Sequence, residues 1–251
     1  MESLQILVKS LLLFSSDPVI ANEVEPTPSF KLFNLDEEFN GSLSFGWQSR
    51  YFSEGRDVLN GDSLFTSSFG INFDNLSFGY WYAISPEQDY DELQLSVTYS
   101  NNLGGFDYYF SFTHFEFSNV FPTRAFDNEV GFGISYSNLP YNIGVSLDAY
   151  YSFIAQGYFT TLTVDYSKDL TDSLSLTAST VVGMNQNYIT DGHDGLDNWS
   201  FRLDLEYALS EDWALSSYLA YSLPLDRDSD APDDDLLTNF SHSGVSLQWS
   251  F

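Results

Sequence analysis

The stretch Trp199-Ser200-Phe201-Arg202-Leu203-Asp204-Leu205-Glu206-Tyr207 decides the fold. Its odd positions are large and apolar, and its even positions are small or charged. A period of two is the mark of a strand, because successive side chains of an extended chain point to opposite sides of a sheet. A helix wound from the same residues would mix both kinds on every face.

The alternation recurs along the chain. Leu43, Phe45, Trp47 and Tyr51 share one face, with Ser42, Ser44, Gly46, Gln48 and Arg50 on the other. Phe65, Phe69, Ile71 and Phe73 follow, then Leu76, Phe78, Tyr80, Tyr82 and Ile84. Further sets begin at Leu93, Tyr108, Val130, Ile143, Tyr158, Leu174, Trp199, Trp213 and Val245. The pattern predicts about 12 strands of roughly ten residues each. Compact turns follow every second strand: Asp74-Asn75, Asn101 to Gly105, Asn138 to Asn142, Ser167 to Asp172, and Ser210 to Asp212. The other connectors are mostly longer and acidic, up to the six Asp between Asp226 and Asp235; the one near Ala155-Gln156-Gly157 is short. Short turns on one rim and longer loops on the other are the layout of an outer-membrane barrel.

Composition says which face meets water. The chain has 251 residues, a mean hydropathy of −0.17, and 8 Lys and Arg against 36 Asp and Glu, for a net charge of −28. No stretch approaches the ~18 apolar residues of a spanning helix. Binding to nucleic acid is excluded, since it rests on basic side chains that are scarce here. The absence of Cys removes disulfides, thiolate metal sites and cysteine catalysis. A soluble β-sheet protein would carry mixed charges on its polar face, about 25–35% of the surface. Here that face is mostly Ser, Gly, Thr, Asn and Gln, which suits a narrow interior. Aromatic residues near strand ends (Trp47, Tyr51, Tyr82, Tyr99, Tyr136, Tyr166, Trp213 and Trp249 among them) match the two lipid–water interfaces. Lipid also demands that every backbone polar group be paired, so a spanning sheet must close. The expectation is an all-β chain forming a single closed antiparallel transmembrane β-barrel, with outer-membrane lipid around it. A secreted carbohydrate-binding β-sandwich is the competing fold.

Residues 1–21 read as an export signal, with Lys9 before Leu11-Leu12-Leu13-Phe14 and a small residue at Ala21. Residues 22–39 read as an irregular acidic lead-in carrying Pro26 and Pro28, and residues 40–251 as the barrel.

The final segment, Gly244-Val245-Ser246-Leu247-Gln248-Trp249-Ser250-Phe251, resembles the C-terminal signal read by the barrel assembly machinery of bacterial outer membranes. Several segments resemble the TorF-type porin family: Phe45-Gly46-Trp47-Gln48-Ser49-Arg50-Tyr51, Asn75 to Ser85 with Gly79-Tyr80-Trp81, Tyr90-Asp91-Glu92-Leu93, Gly105-Phe106-Asp107-Tyr108 and Asp127-Asn128-Glu129-Val130. That resemblance spans residues 40–251 and implies transport, without naming a solute.

Chemistry-bearing residues are few. Adjacent His242 and Ser243 fall on opposite faces of a strand, so they cannot act as a nucleophile and its base. His114, near Ser118, is expected in a loop. Thr190-Asp191-Gly192-His193-Asp194-Gly195-Leu196-Asp197 gathers carboxylates and a His between flexible glycines, which suits either a solvated loop or a Ca²⁺ site. Charge placement is more informative. Arg50, Asp107, Asp148, Asp165, Arg202, Asp204 and Glu206 take the polar face, five acids against two bases. Lining a water-filled path, they would favour cations. The functional expectation is a passive channel for small hydrophilic solutes that needs no cofactor. A structural or adhesive barrel with a closed lumen and a lipid-modifying hydrolase are the alternatives.

Overall fold

A computed structural model describes residues 40–118 and 125–251. The expected export signal and lead-in lie outside the described residues. The elements in chain order are β1 (Asn40–Gln48), β2 (Phe52–Ser53), β3 (Arg56–Asp57), β4 (Leu64–Phe73), β5 (Leu76–Ser85), β6 (Tyr90–Leu103) and β7 (Phe106–Ser118). After these come β8 (Ala125–Leu139), β9 (Ile143–Ser152), β10 (Gly157–Thr171), β11 (Leu174–Gln186), β12 (Gly195–Ala208), β13 (Trp213–Pro224) and β14 (Phe240–Ser250). A short 3₁₀ turn, η1 (Pro232–Leu236), precedes β14. Strands β2 and β3 form a small hairpin inside one loop. The other twelve pair antiparallel in chain order and close into a barrel, β1 meeting both β4 and β14.

At the seam Leu43 opposes Trp249 and Phe45 opposes Leu247. Gly41 N–H donates to the Phe251 carbonyl at 2.8 Å, and Phe251 N–H returns a bond to the Gly41 carbonyl at 3.0 Å. No barrel strand is left with an open edge, as a lipid environment requires. The exterior carries the apolar set read from the sequence: Phe45, Phe78, Phe110, Leu147, Leu203 and Leu219 are all exposed. A band of that size facing water would be costly at about 25 cal/mol per Å², so its natural surround is lipid. The chain is an integral β-barrel of the bacterial outer-membrane kind.

The strands outrun the apolar band, and several expectations change with them. Strands β8 and β10 have 15 residues each. The turn expected over Ser167 to Asp172 shrinks to Asp172-Ser173, and that over Asn101 to Gly105 to Gly104-Gly105. Both glycines have positive φ, +63° and +89°, which a two-residue reversal demands. His114 lies within β7, not in a loop, and its ring pairs with Asn128 at 2.8 Å. Tyr51 does not belong to an interfacial belt: the chain turns inward after Gln48, and Tyr51 is fully buried.

Candidate functional site: a lumen capped by loops

The inner wall is built from the second residue of each alternating pair, and its two halves differ. Toward the short-turn rim it carries Asp107, Ser167, Glu206 and Gln248, all solvent-exposed. Toward the long-loop rim its side chains are buried by loops that fold inward. The loop of residues 49–63 inserts Tyr51, Val58 and Leu59 against Trp81 and Ala83 of β5, Tyr90 of β6, and Phe115 and Phe117 of β7. The Tyr51 ring lies 6.3 Å from Trp81 and, edge-on, 5.8 Å from Tyr90. Its hydroxyl donates to Glu92 at 2.7 Å; Tyr90 and Gln94 add bonds to the same carboxylate at 2.5 and 2.7 Å. The loop of residues 187–194 behaves alike, packing Tyr188 and Ile189 on Phe159 while Tyr188 donates to Glu129 at 2.6 Å. Buried carboxylates are tolerated here because each accepts hydrogen bonds.

The third contribution joins the loops to one another. Arg56, 3% exposed, reaches Asp197 at 2.7 Å and Asp234 at 3.0 Å and donates to the Glu54 and Asp233 carbonyls. His193 meets the other oxygen of Asp234 at 2.6 Å through Nδ1 and the Leu196 carbonyl at 3.1 Å through Nε2. Burial works against charge on His193, but the Leu196 carbonyl and the Asp234 and Asp197 carboxylates outweigh it and hold its pKa above the ordinary value. Asp234 is likewise held low despite burial, by the Asp228 N–H and by His193. Asp233 has no such support: burial, with Asp191 nearby, pushes it up to about 6.

The seven residues singled out from the sequence do not form one constellation. Arg50 sits past the end of β1 at the long-loop rim, paired with Asp57 and 5.8 Å from the Phe240 ring centroid. It lines a cavity of about 430 Å³ between the first and last long loops. Asp107 stands near the opposite rim, held by Asn102 at 2.8 Å. Asp148 belongs to an inward cluster, accepting from Tyr109 at 2.9 Å and Ser146 at 3.2 Å, while Tyr109 and Tyr150 share a bond of 2.8 Å. Gly133 makes this possible: a Cβ there would lie 2.1 Å from the Tyr109 ring. Asp165 lies over Gly144 of the neighbouring strand. Arg202 and Asp204 form a two-bond pair at 2.8 and 2.9 Å, and Glu206, next along the same face, accepts from Ser216 at 3.3 Å. His242 stacks on Phe52 at 4.9 Å, while the Ser243 backbone bonds Ser49, so that pair is split across the wall.

Four buried acids face inward besides those seven: Glu92, Asp127, Glu129 and Asp197, the last expected from the sequence in a solvated loop or a Ca²⁺ site. The first three lie where β6 and β8 run on beyond their alternating segments, ahead of Leu93 and Val130. Asp197 faces inward because β12 carries a bulge, with two residues, Asp197 and Asn198, opposite Gly183 alone. The signal was present as apolar-polar-polar-apolar, Leu196 to Trp199, a break in strict alternation.

No protein-family model matches the chain, and no curated protein does. Among solved structures the barrel resembles the KdgM porin, with a TM-score of 0.56 and 12% identity over 84% of this chain and 99% of that one. It also resembles the NanC porin, with 0.55 and 8% over 83% and 98%. LpxR from Salmonella typhimurium is similar too, with 0.54 and 10% over 83% and 99%. Likeness at such identity establishes a shared barrel fold.

Proposed function

We propose that the protein is a narrow outer-membrane channel for small hydrophilic solutes, constricted on the long-loop side by its own loops and selective for cations. The observation that carries this reading is the contrast within the lumen. One half is lined by small polar side chains and carboxylates in contact with water, and the other is filled by three loops. Twelve strands fall between eight, where side chains fill the bore, and sixteen, where water does. A loop-narrowed channel is what that intermediate diameter accommodates. The resemblance to the TorF-type porin family points the same way, as do the KdgM and NanC porins among the neighbours. One neighbouring structure is the KdgM porin with oligogalacturonate, an anionic ligand. The inward acids argue for neutral or cationic solutes here. In this reading the segment ending at Phe251 is what the barrel assembly machinery engages.

Single-channel recording in planar bilayers tests the reading. Discrete conductance steps that grow when residues 52–62 are replaced by a short Gly-Ser linker are expected. The well-packed cluster around Tyr51 supports a second reading, a permanently closed structural barrel. Silence from both the wild type and the shortened variant would select it.

A further inference from the structure

Arg56 uses only one oxygen of each carboxylate it holds. It bonds Oδ2 of Asp197 and Oδ1 of Asp234, leaving Asp197 Oδ1 and Asp234 Oδ2 for other partners. Asp234 Oδ2 meets His193 Nδ1 and the Asp228 N–H at 2.8 Å. Asp197 is 0% exposed, yet its Oδ1 has no hydrogen-bond partner. Ligand atoms of His193, Asp197 and Asp234 all lie within 4.8 Å of one another. An orphaned oxygen on a fully buried carboxylate is costly, and the usual remedies are a proton, a water or a cation.

We propose that His193, Asp197 and Asp234 form a binding site for one divalent transition-metal ion, which ties the long loops together over the lumen. The arrangement around His193 is that of a metal ligand. Its Nε2 faces the Leu196 carbonyl at 3.1 Å, an outer hydrogen bond of the kind that orients a metal-ligating imidazole, and its Nδ1 points at Asp234 Oδ2, 2.6 Å away, as the nitrogen that would coordinate. The surroundings favour a cation as well. Arg56 is shared between Asp197 and Asp234, and Asp233, 2% exposed beside them, has neither carboxylate oxygen hydrogen-bonded. The proton released from Nδ1 passes to solvent, as metal binding to imidazole requires. One imidazole with carboxylates suits Zn²⁺ or Mn²⁺; Ca²⁺ and Mg²⁺ prefer all-oxygen shells.

The test uses the full chain, chelator-treated, in detergent micelles, with Zn²⁺ alone as titrant in isothermal calorimetry and elemental analysis after dialysis. One Zn²⁺ per chain is expected, with Ca²⁺ binding at least 10-fold weaker. Asp197→Asn and His193→Gln should each weaken Zn²⁺ binding at least 10-fold, while Asp230→Asn, on the exposed part of the last loop, should not change it. Heat-modifiable migration on gels confirms that each variant keeps its barrel, and a variant that loses it is replaced by His193→Ala. No saturable binding, a Ca²⁺ preference, or affinity unchanged in the folded His193 and Asp197 variants would overturn the site.

Discussion

The guanidinium carbon of Arg202 lies 3.7 Å from the centre of the Tyr218 ring, and the same guanidinium grips both oxygens of Asp204. A cation held in this way, over an aromatic face and against a carboxylate, contributes less field to the lumen than its formal charge suggests. Arg202→Gln should therefore raise the preference for K⁺ over Cl⁻ only modestly, by less than about 2-fold, with Asp204 freed to act on passing ions. Reversal potentials under a KCl gradient check the sign.

Removing inward acids should act the other way. The combined change Asp148→Asn, Asp165→Asn, Asp204→Asn and Glu206→Gln should lower cation preference. The difference should shrink at high salt, because the Debye length falls from about 10 Å at 0.1 M to about 3 Å at 1 M. The same reversal-potential series at both concentrations reads it. A quadruple variant as selective as the wild type would remove these residues from the conducting path.

Arg56 is the common partner of two buried carboxylates on different segments. Arg56→Met strips Asp197 of its guanidinium partner and leaves Asp234 to His193 and the Asp228 N–H alone, which should destabilise the loop cap by about 3–5 kcal/mol. Hydrogen exchange of residues 187–194 and 226–238 should accelerate sharply, while the barrel strands stay protected.

Gly133→Ala tests the close approach of Tyr109. The added methyl would lie 2.1 Å from the ring and 2.4 Å from Asp148 Oδ1, so the Tyr109–Asp148–Tyr150 cluster must shift. Overpacking of this kind costs typically about 1–3 kcal/mol. A lower unfolding midpoint in urea, with Gly131→Ala as the milder neighbour on the same face, would show it. Its added methyl meets the single Ser111 hydroxyl and the edge of Tyr150.

The barrel itself was legible because alternation is a local signal, repeated twelve times. Trp199 to Tyr207 alone states which residues face lipid and which face inward, and the structure agrees along that run. The cap was not legible. Tyr51 continues the parity of Leu43, Phe45 and Trp47, yet it faces the interior because the chain leaves the wall after Gln48. Nothing in the order of residues marks that departure. Arg56 and Asp234 are 178 positions apart, and no short-range pattern announces their pairing. Asp197 sits between these cases. Its bulge is written in the two polar residues between Leu196 and Trp199, but only the barrel gives that break a direction.

The seam between β1 and β14 also governs how such a wall can come into being. Every other pair of neighbouring wall strands is joined by one connector, so each hairpin can form as soon as its own residues are available. The bonds between Gly41 and Phe251 have no such neighbour relation and must wait until all the intervening strands are in register. Until then two strands would each present a row of unpaired amides and carbonyls, a template for another chain. Closure is therefore the slow, long-range event of assembly, and a slip of one residue at that seam would turn every lipid-facing side chain of β14 toward water.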